Sequence, residues 1–545
     1  MKKIIALLLI CVTLVGLLPG CGTPDNSAYV ATGDALFREG DDLEEYLSHG
    51  EEEIDQLTLG YYPDRSMNPL IAATYTNRVL LSLIYQGLFA VDNGYNTIPI
   101  LCSRYQVSAD NMVWTFYVEV GATFSDGSPV TIHDVYASYE KARETDYYKG
   151  RFTHVTGIAV SDDGGITFTL AHPYENLPLL LDVPIVKASE LDAEFPVGSG
   201  PYTFEKEEGT TETEGEAAET EEVTALLRRN PNWWCGKTKI ATNAEVIQLV
   251  DAENPSNLRD EFEFGQVSLA CTDPCTDSYA EYRCDHELWD CENGIFLFLA
   301  CNVTYSDFFE DGKLRQIMTY AIDRETIVKE NYNGLAQAAT LPASPSFPYY
   351  NDALAARFAY DPMKFIDGLS GVNIPIDEET KQKKKMRLLV NVDDSARLRT
   401  ARELADHLTE LGLDCGTLEY GSTTNPTYQT VLQANNWDIC LGQTRLSANM
   451  DLSGFFAPWG SLYMSGLTNG DIQEFNLMAL ENSGNYYNLH QKVAEHGSVV
   501  PVLFGNYAVY SHRGTLTNLT PARDNIFYYS LGKTMDGIRI DTIYE

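Results

Sequence analysis

A strand–helix–strand pattern in the second half of the chain constrains its fold most strongly. Residues 386–392 are rich in Leu and Val and have the length of a strand. Apolar residues then recur at helical spacing from Leu398 to Leu411, and Gly412 is suited to end that helix. Residues 413–420 can return as a second strand. Two strands joined by a helix at this spacing lie parallel in one sheet, so the pattern predicts an α/β lobe.

The first half of the chain predicts a second lobe. A chain of 545 residues should hold more than one core, because single hydrophobic cores stop growing at about 250–300 residues. Alternating or β-rich segments predict strands at residues 57–61, 114–120 and 166–170. Helical spacing predicts helices over residues 77–90 and 132–139, the second of which has Thr131 as its N-cap.

One segment of the first half predicts no packed structure. Residues 207–222 contain no Leu, Ile, Phe, Tyr or Trp and consist mostly of Glu, Thr, Gly and Ala. Such a segment cannot bury enough apolar surface to offset the loss of chain entropy on folding. We therefore predict a disordered acidic insertion between two strands.

Three short strings occur in a defined order along the chain. They are Phe124-Ser-Asp-Gly-Ser-Pro-Val-Thr131, Gly198-Ser-Gly-Pro-Tyr202 and Asn230-Pro-Asn-Trp-Trp234. In this order and at this spacing they resemble the family 5 extracellular solute-binding proteins, which are the peptide- and nickel-type receptors of ABC importers. Further matches include Ala321-Ile-Asp-Arg324. Most matched residues are expected to be architectural: Gly127, Gly198 and Gly200 in turns, and Trp233 and Trp234 in packing.

The resemblance implies an α/β fold of the class II periplasmic-binding-protein type. In that architecture two lobes are joined by a two-segment hinge, lobe one carries an extra subdomain, and the ligand is enclosed between the lobes. The implied division is a signal peptide at residues 1–20, a lipid tether and acidic linker at 21–54, lobe one at 55–290 with its subdomain at about 76–190, lobe two at 291–498, and a return to lobe one at 499–545.

The resemblance also implies where a ligand binds. In peptide receptors of this family, the segment after the first strand pairs with the extended backbone of the ligand, and main-chain pairing of this kind tolerates many ligand sequences. Here that segment contributes Thr74, Tyr75, Thr76 and Asn77. The second contact region follows the predicted strand at residues 437–441. It contributes Arg445, Ser447, Ala448, Asn449 and Asp451.

This second region departs from the family pattern. Peptide receptors usually show a Gly-Trp pair followed by an aspartate that binds the ligand's α-ammonium, whereas Gln443 follows Gly442 here and Ala448 falls at the aspartate position. A buried ammonium without a carboxylate partner costs several kcal/mol. Either Asp451 takes the role through a shifted loop, or Arg445 holds a carboxylate or another anionic group by a two-pronged hydrogen bond. A surface position for Arg445 is the third reading.

The N-terminus predicts export. Met1-Lys2-Lys3 is followed by an apolar stretch over residues 4–18 and then by Leu18-Pro-Gly-Cys21. The apolar stretch is too short for a membrane span of about 20 residues, but a basic start followed by a stretch of this length is typical of a secretory signal. A cysteine after a small residue resembles a bacterial lipobox, which implies lipid attachment at Cys21 and a location on the extracytoplasmic face of the cell membrane. An ordinary secretion signal with a free cysteine is the alternative.

Charge and composition exclude several classes of function. The chain has 38 Lys and Arg against 78 Asp and Glu, a net charge of −40, which repels nucleic acid. No nucleophile elbow, no phosphate-binding glycine loop and no metalloprotease motif is present, so we predict neither an enzyme nor a cofactor. Five clustered cysteines, Cys271, Cys275, Cys284, Cys291 and Cys301, have irregular spacing, which leaves a metal site, local disulfides and buried thiols open.

The resemblance to family 5, together with the N-terminal segment, implies a monomeric, lipid-anchored solute-binding protein that captures an oligopeptide or dipeptide by hinge closure. Its partners would be the solute and an ABC permease with its ATPase. The alternatives are a receptor for a non-peptide solute, such as a nickel chelate or an oligosaccharide, and a signalling receptor that does not transport.

Overall fold

The computed structural model describes residues 57–72, 74–211, 220–235, 244–272, 282–460, 462, 467–516, 519–523, 525–527 and 539–543. Its strands in chain order are β1 (Leu57–Tyr61), β2 (Phe89–Val91), β3 (Thr97–Pro99), β4 (Cys102–Ser108), β5 (Val113–Val118), β6 (Val155–Val160), β7 (Ile166–Leu170), β8 (Tyr202–Thr211), β9 (Thr220–Arg229), β10 (Val246–Asp251), β11 (Leu269–Thr272), β12 (His286–Cys301), β13 (Ala336–Ala338), β14 (Met386–Asn391), β15 (Cys415–Tyr420), β16 (Ile439–Arg445), β17 (Val499–His512) and β18 (Arg539–Ile543).

The α-helices are α1 (Tyr75–Ile84), α2 (Ile132–Glu144), α3 (Pro255–Glu263), α4 (Lys313–Ile317), α5 (Arg324–Asn331), α6 (Asp352–Arg357), α7 (Pro362–Leu369), α8 (Ser395–Glu410), α9 (Tyr428–Gln433), α10 (Ser453–Phe456), α11 (Gly470–Glu481) and α12 (Tyr486–His496). No helix in this described part of the chain combines the length and the apolar character that a bilayer crossing needs.

One sheet runs through the described residues in the order β15-β14-β16-β12-β17-β11-β1-β10-β9-β8, with β13 paired to β17. The predicted α/β unit is confirmed, because β14 pairs parallel with both β15 and β16 and α8 forms the crossover. The first half of the chain adds a five-stranded sheet, β18-β4-β5-β7-β6, and the hairpin β2-β3. Thr131 is confirmed as the N-cap of α2. It forms a capping box in which the Asp134 carboxylate accepts from the Thr131 backbone N–H at 2.8 Å.

The long strands β12 and β17 connect the two halves of the main sheet. The first part of β12 pairs with the end of β17, where β11 also pairs, and the second part of β12 pairs with β16. A bulge separates the two parts between Glu292 and Phe296, and Gly294 within it has a φ of 76°. A left-handed backbone favours glycine because it has no Cβ, so this residue suits the point where the strand changes direction.

Two main cores lie on either side of this bulge. One is built from residues 57–269 and 507–527 together with Cys291 and Leu480, and the other from residues 295–503. We call the two parts lobe one and lobe two; the residue boundaries expected from the sequence stay a prediction. A third core joins Tyr95 of lobe one to Phe347 and Tyr486 of lobe two, so the lobes pack against each other.

Two expectations about the first half are wrong in part. Strands β8 and β9 extend into the acidic segment and pair up to Thr211 and Thr220, so residues 207–211 and 220–222 belong to a hairpin; residues 212–219 lie outside the described residues. The hydrogen-bond ladder needs no apolar side chains, and threonine favours strands. Gly127 lies in a turn with a φ of 82°, whereas Gly198 and Gly200 have no positive φ and instead allow close contact with the backbone of Ile84.

The clustered cysteines include buried thiols. Cys271, Cys284 and Cys301 are free thiols, and Cys275 lies outside the described residues. Burial raises the pKa of Cys301 to about 12, which keeps this thiol protonated and unreactive at neutral pH. Within the described ranges, no group of three His, Cys, Asp or Glu side chains could hold a metal ion.

Acid should destabilise lobe two through His490. This residue of α12 is fully buried, neither ring nitrogen has a hydrogen-bond partner among the described atoms, and burial lowers its pKa to about 3. The folded state keeps the ring neutral, whereas the unfolded chain binds a proton below pH about 6.5. Stability is therefore fully present above that pH and falls as the pH drops. Lowering the pH to 5 should cost about 2 kcal/mol from this group.

Urea unfolding at pH 7.5, 6 and 5 measures this loss in the wild type and in His490→Leu, which should lack it. His133→Leu, at an exposed position of α2, is the matched control. The same loss of stability with pH in His490→Leu as in the wild type would show that His490 is not its source.

Candidate functional site

A cavity of about 100 Å³ lies beside helix α1 where the two lobes meet. Its polar lining comes mainly from lobe one, and Ala448 closes it from lobe two. The residues of interest in its wall are Tyr75, Arg78, Tyr147, Arg151, Asp182 and Ala448. The cavity therefore brings the two regions predicted from the sequence to one place, since Tyr75 belongs to the first region and Ala448 to the second.

The first predicted region lies at the start of α1. Thr74 is the N-cap, and its hydroxyl is buried with no hydrogen-bond partner among the described atoms, as is the hydroxyl of Tyr75. Burial raises the pKa of Tyr75 well above its usual value, so the phenol stays protonated. Thr76 is partly exposed and lies beside Tyr62.

The side chain of Asn77 is hydrogen-bonded within the protein, and the ligand contact expected of it stays a prediction. Its side-chain oxygen accepts from the Tyr62 backbone N–H at 2.9 Å, and its amide donates to the Tyr62 carbonyl at 3.1 Å. The residue is fully buried, so the side chain ties the start of α1 to the turn after β1. Both ends of the Asn77 amide are thus used within the protein, which favours a structural role for this residue.

A cluster of aromatic rings and two arginines joins the predicted regions. The Tyr75 ring stacks on the Tyr507 ring with centroids 3.7 Å apart. The hydroxyl of Tyr507 accepts from Arg78 Nη2 at 3.2 Å and from Arg445 Nη2. The same two guanidinium groups face the ring of Tyr147, at 3.8 Å for Arg78 and 5.4 Å for Arg445. Arg445 also donates to the Tyr147 hydroxyl at 3.3 Å. We call these five residues the arginine–tyrosine cluster.

The cluster decides between the readings of Arg445. A surface position is wrong, since Arg445 ends β16 and donates to Tyr147 of lobe one and to Tyr507 of strand β17. Sequence reasoning missed Arg78, Tyr147 and Tyr507. The available signal for Arg78 was its position three residues after Tyr75 on the same helix, which places the two side chains on one face.

Asp451 is engaged by the protein itself. Its Oδ2 lies 3.0 Å from Nε2 of His154 in lobe one, and its Oδ1 accepts from the Ser453 backbone N–H at 2.9 Å and from the Asn476 amide at 2.8 Å. Burial alone would raise the pKa of Asp451, but the His154 contact and these hydrogen bonds outweigh it and lower the pKa. The reading in which Asp451 binds a ligand ammonium is therefore not supported, because the carboxylate already pairs across the lobes.

The remaining predicted residues lie close to this contact. Ser447 is partly exposed and its hydroxyl faces Gly150 of lobe one, whereas Asn449 is buried and its carbonyl accepts from Tyr486 at 2.6 Å. Asn449 also lines a small cavity with His154 and Asp451. The second region thus forms part of the boundary between the lobes.

Comparison with known proteins identifies the family. Residues 96–465 match the bacterial extracellular solute-binding proteins, family 5 Middle, which is more than half of the chain. The chain belongs to this family. Among curated relatives, the glutathione-binding protein GsiB of Salmonella typhi is 24% identical over 322 residues, which is 57% of this chain and 60% of the relative. The match therefore spans well under the full length of the relative.

Solved structures share the fold of this family 5 protein. The ABC transporter substrate-binding protein CtaP of Listeria monocytogenes has a TM-score of 0.66 at 18% identity, covering 87% of this chain and 97% of its own. The oligopeptide-binding protein AppA of Bacillus subtilis, solved with a nonapeptide, has a TM-score of 0.59 at 18% identity, covering 88% and 99%. The α/β class II periplasmic-binding-protein fold is thus confirmed.

Proposed function

We propose that this protein captures a peptide or another small solute between its lobes outside the cytoplasm and delivers it to an ABC permease with its ATPase. The observation that carries the proposal is the cavity beside α1, which Arg78 lines from lobe one and Ala448 from lobe two. Next to it, Arg78 and Arg445 of the two lobes both donate to the hydroxyl of Tyr507. Family membership supports a solute-binding role, and the names of GsiB and AppA support the peptide class.

The proposed mechanism is closure about the bulge in β12. A ligand shifts an open–closed equilibrium only if it binds the closed form more tightly, which requires contacts from both lobes. The arginine–tyrosine cluster can provide such contacts. The pair of His154 and Asp451 adds a direct contact between the lobes that also favours the closed form. We further propose that the protein acts as a monomer, held at the membrane by lipid on Cys21.

The test is thermal unfolding of the full-length protein in mild detergent with mixed di- to octapeptides, nickel ions and oligosaccharides. Ligand at about 100 times its dissociation constant adds about 2.7 kcal/mol, which should raise the melting temperature by a few degrees. Neutron scattering at the detergent match point should then show a smaller radius of gyration with that ligand. A ligand that binds without changing the radius would contradict hinge closure, and failure of every class to bind would contradict solute capture.

A further inference from the structure

We propose that the hairpin β2–β3 acts as a strap between the hinge and lobe two, and that Tyr95 near its tip is the positioning residue that sets how readily the lobes open. The inference rests on the proposed hinge closure and names a device that regulates it. Tyr95 does not line the cavity beside α1, so its effect on solute capture would be indirect.

The backbone of Tyr95 is the first observation. Its φ is 62°, in the left-handed region that is unfavourable for a side chain of this size. The Asp92 carboxylate holds the turn, since it accepts from the backbone N–H groups of Gly94 at 2.9 Å and Asn96 at 2.8 Å. Glycine and asparagine tolerate a left-handed backbone better than tyrosine does, yet the turn places Tyr95 there. Such a conformation persists only where surrounding contacts determine it, and such positions cluster at switch regions.

The hydroxyl of Tyr95 reaches the hinge. It donates to Oε2 of Glu292 at 2.6 Å, and both side chains are buried. Burial and the nearby Glu292 raise the pKa of Tyr95 well above its usual value, so the phenol remains a donor. Oε1 of Glu292 accepts from the Gly294 backbone N–H in the β12 bulge, and the Gly294 carbonyl accepts from the Leu446 N–H at 2.9 Å. One buried carboxylate thus joins the hairpin to the bulge that is the proposed hinge.

The ring of Tyr95 reaches lobe two. It packs edge-to-face against Phe347, with centroids 5.3 Å apart and planes at 80°. Phe347 packs in the same manner against Tyr486, with centroids 5.0 Å apart. All three rings belong to the core that spans both lobes. Edge-to-face pairs stabilise the packed state beyond the burial of their area. Tyr95 therefore contacts the hinge through its hydroxyl and lobe two through its ring.

Opening affects the two ends of this strap differently. Glu292 lies at the bulge, where a rotation moves atoms least, whereas Phe347 lies in lobe two and moves away with it. The ring contact therefore exists only in the closed form, and the hydroxyl fixes the ring in the position that makes it. Without the hydroxyl, the Glu292 oxygen would be buried without this donor in the closed form but could reach water on opening. Loss of the hydroxyl should therefore favour the open form.

The experiment measures backbone hydrogen exchange in the full-length, solute-free protein in mild detergent, by mass spectrometry resolved to single residues. Two reporter amides have hydrogen bonds that join Glu175 of lobe one to the end of α11 and the turn after it. The Glu175 N–H donates to the Leu480 carbonyl at 3.0 Å, and the Ser483 N–H donates to the Glu175 carboxylate at 2.7 Å. Tyr95→Phe should speed exchange of both reporter amides by about three- to tenfold.

Two amides inside the lobes are internal controls. The Ala252 N–H donates to the Tyr61 carbonyl at 2.9 Å within lobe one, and the Met386 N–H donates to the Asp414 carbonyl at 2.8 Å within lobe two. Their exchange should not change, because the variant alters the equilibrium between open and closed forms and leaves each lobe folded.

Two further variants test the assignment to Tyr95. Tyr117→Phe removes a hydroxyl that donates to the Asp163 carboxylate between β6 and β7 of lobe one, and should leave both reporter amides unchanged. Phe347→Leu removes the ring at the other end of the strap and should speed their exchange as Tyr95→Phe does. Combining Tyr95→Phe with Phe347→Leu should give less than the product of the two effects, because both act through one contact.

The outcomes distinguish this inference from the proposed function. Unchanged exchange of the reporter amides in Tyr95→Phe would overturn the strap. So would equal acceleration of the control amides, the same acceleration in Tyr117→Phe, or effects of Tyr95→Phe and Phe347→Leu that multiply in full. The measurement needs no solute. The expected exchange pattern with no solute bound in the thermal test would leave the strap in place while solute capture fails, and a bound solute with unchanged exchange would do the reverse.

Discussion

Replacing Arg324 by methionine should lower the free energy of unfolding by about 3 kcal/mol or more. This arginine is buried at the start of α5, and its guanidinium donates to the carbonyls of Ala339 at 3.0 Å and Pro501 at 2.9 Å. It also donates to the carbonyls of Thr319 and Ile322, both at 3.2 Å, and to the Thr319 hydroxyl. Methionine fills much of the space but leaves four buried carbonyls without this donor, and each unsatisfied group costs about 1–3 kcal/mol.

The loss is partly offset, because a buried charge is itself costly. Burial lowers the pKa of Arg324 to about 10, because removal from water destabilises the charged form of the side chain. Urea unfolding followed by tryptophan fluorescence measures the change. Arg324→Lys should give an intermediate loss, and Lys329→Met at an exposed position of the same helix should change stability by no more than about 0.5 kcal/mol. An Arg324→Met variant as stable as the wild type would show that the carbonyls find other donors.

Replacing Gly200 by alanine should cost about 3 kcal/mol, although the change adds a single methyl group. A Cβ at this position would lie 2.6 Å from the carbonyl carbon and oxygen of Ile84 and from the carbonyl oxygen of Leu83, which are backbone atoms that cannot turn aside. The Gly200 backbone N–H also donates to the Ile84 carbonyl at 2.8 Å, so relief of the clash would break this hydrogen bond. Helix α1 would have to move, and it carries Tyr75 and Arg78.

Ser199→Ala is the matched control for Gly200→Ala. Ser199 is fully buried and its hydroxyl has no hydrogen-bond partner among the described atoms, so removing the oxygen should leave stability unchanged or slightly higher. Both variants are measured by urea unfolding and by binding of whichever solute the panels identify. Equal stability of Gly200→Ala and the wild type would show that α1 yields at little cost.

The two glycines of the Gly-Ser-Gly-Pro-Tyr string were correctly singled out from the sequence, but their role was predicted wrongly. Glycine in such a string suggests turns. In the structure only Gly127 of the three glycines considered has a positive φ, and Gly198 and Gly200 are needed because the chain passes against the end of α1. Close approach of two backbones far apart in sequence leaves no local signal.

The hydrogen bonds of Asp451 also come from residues that are far from it in sequence. Its neighbours in sequence predict a ligand-binding loop, and the loop does lie at the boundary between the lobes. Its partner His154 is 297 residues away, and Asn476 lies on helix α11. A carboxylate's availability depends on what surrounds it, so its role could not be assigned from the loop alone.

The sequence by itself determined the family, the α/β class and most local elements, because periodicity, caps and short-range motifs act over a few residues. The helix predicted over residues 77–90 is wrong at its end, since α1 stops at Ile84 and Phe89–Val91 forms β2. It also placed both regions that meet at the cavity. The tertiary structure alone decided which side chains are available there. Asn77 is used by the turn after β1, and Asp451 is used by His154. Arg78 and Arg445 meet at Tyr507, because the strand β17 that carries Tyr507 follows lobe two in the chain and returns to lie beside α1.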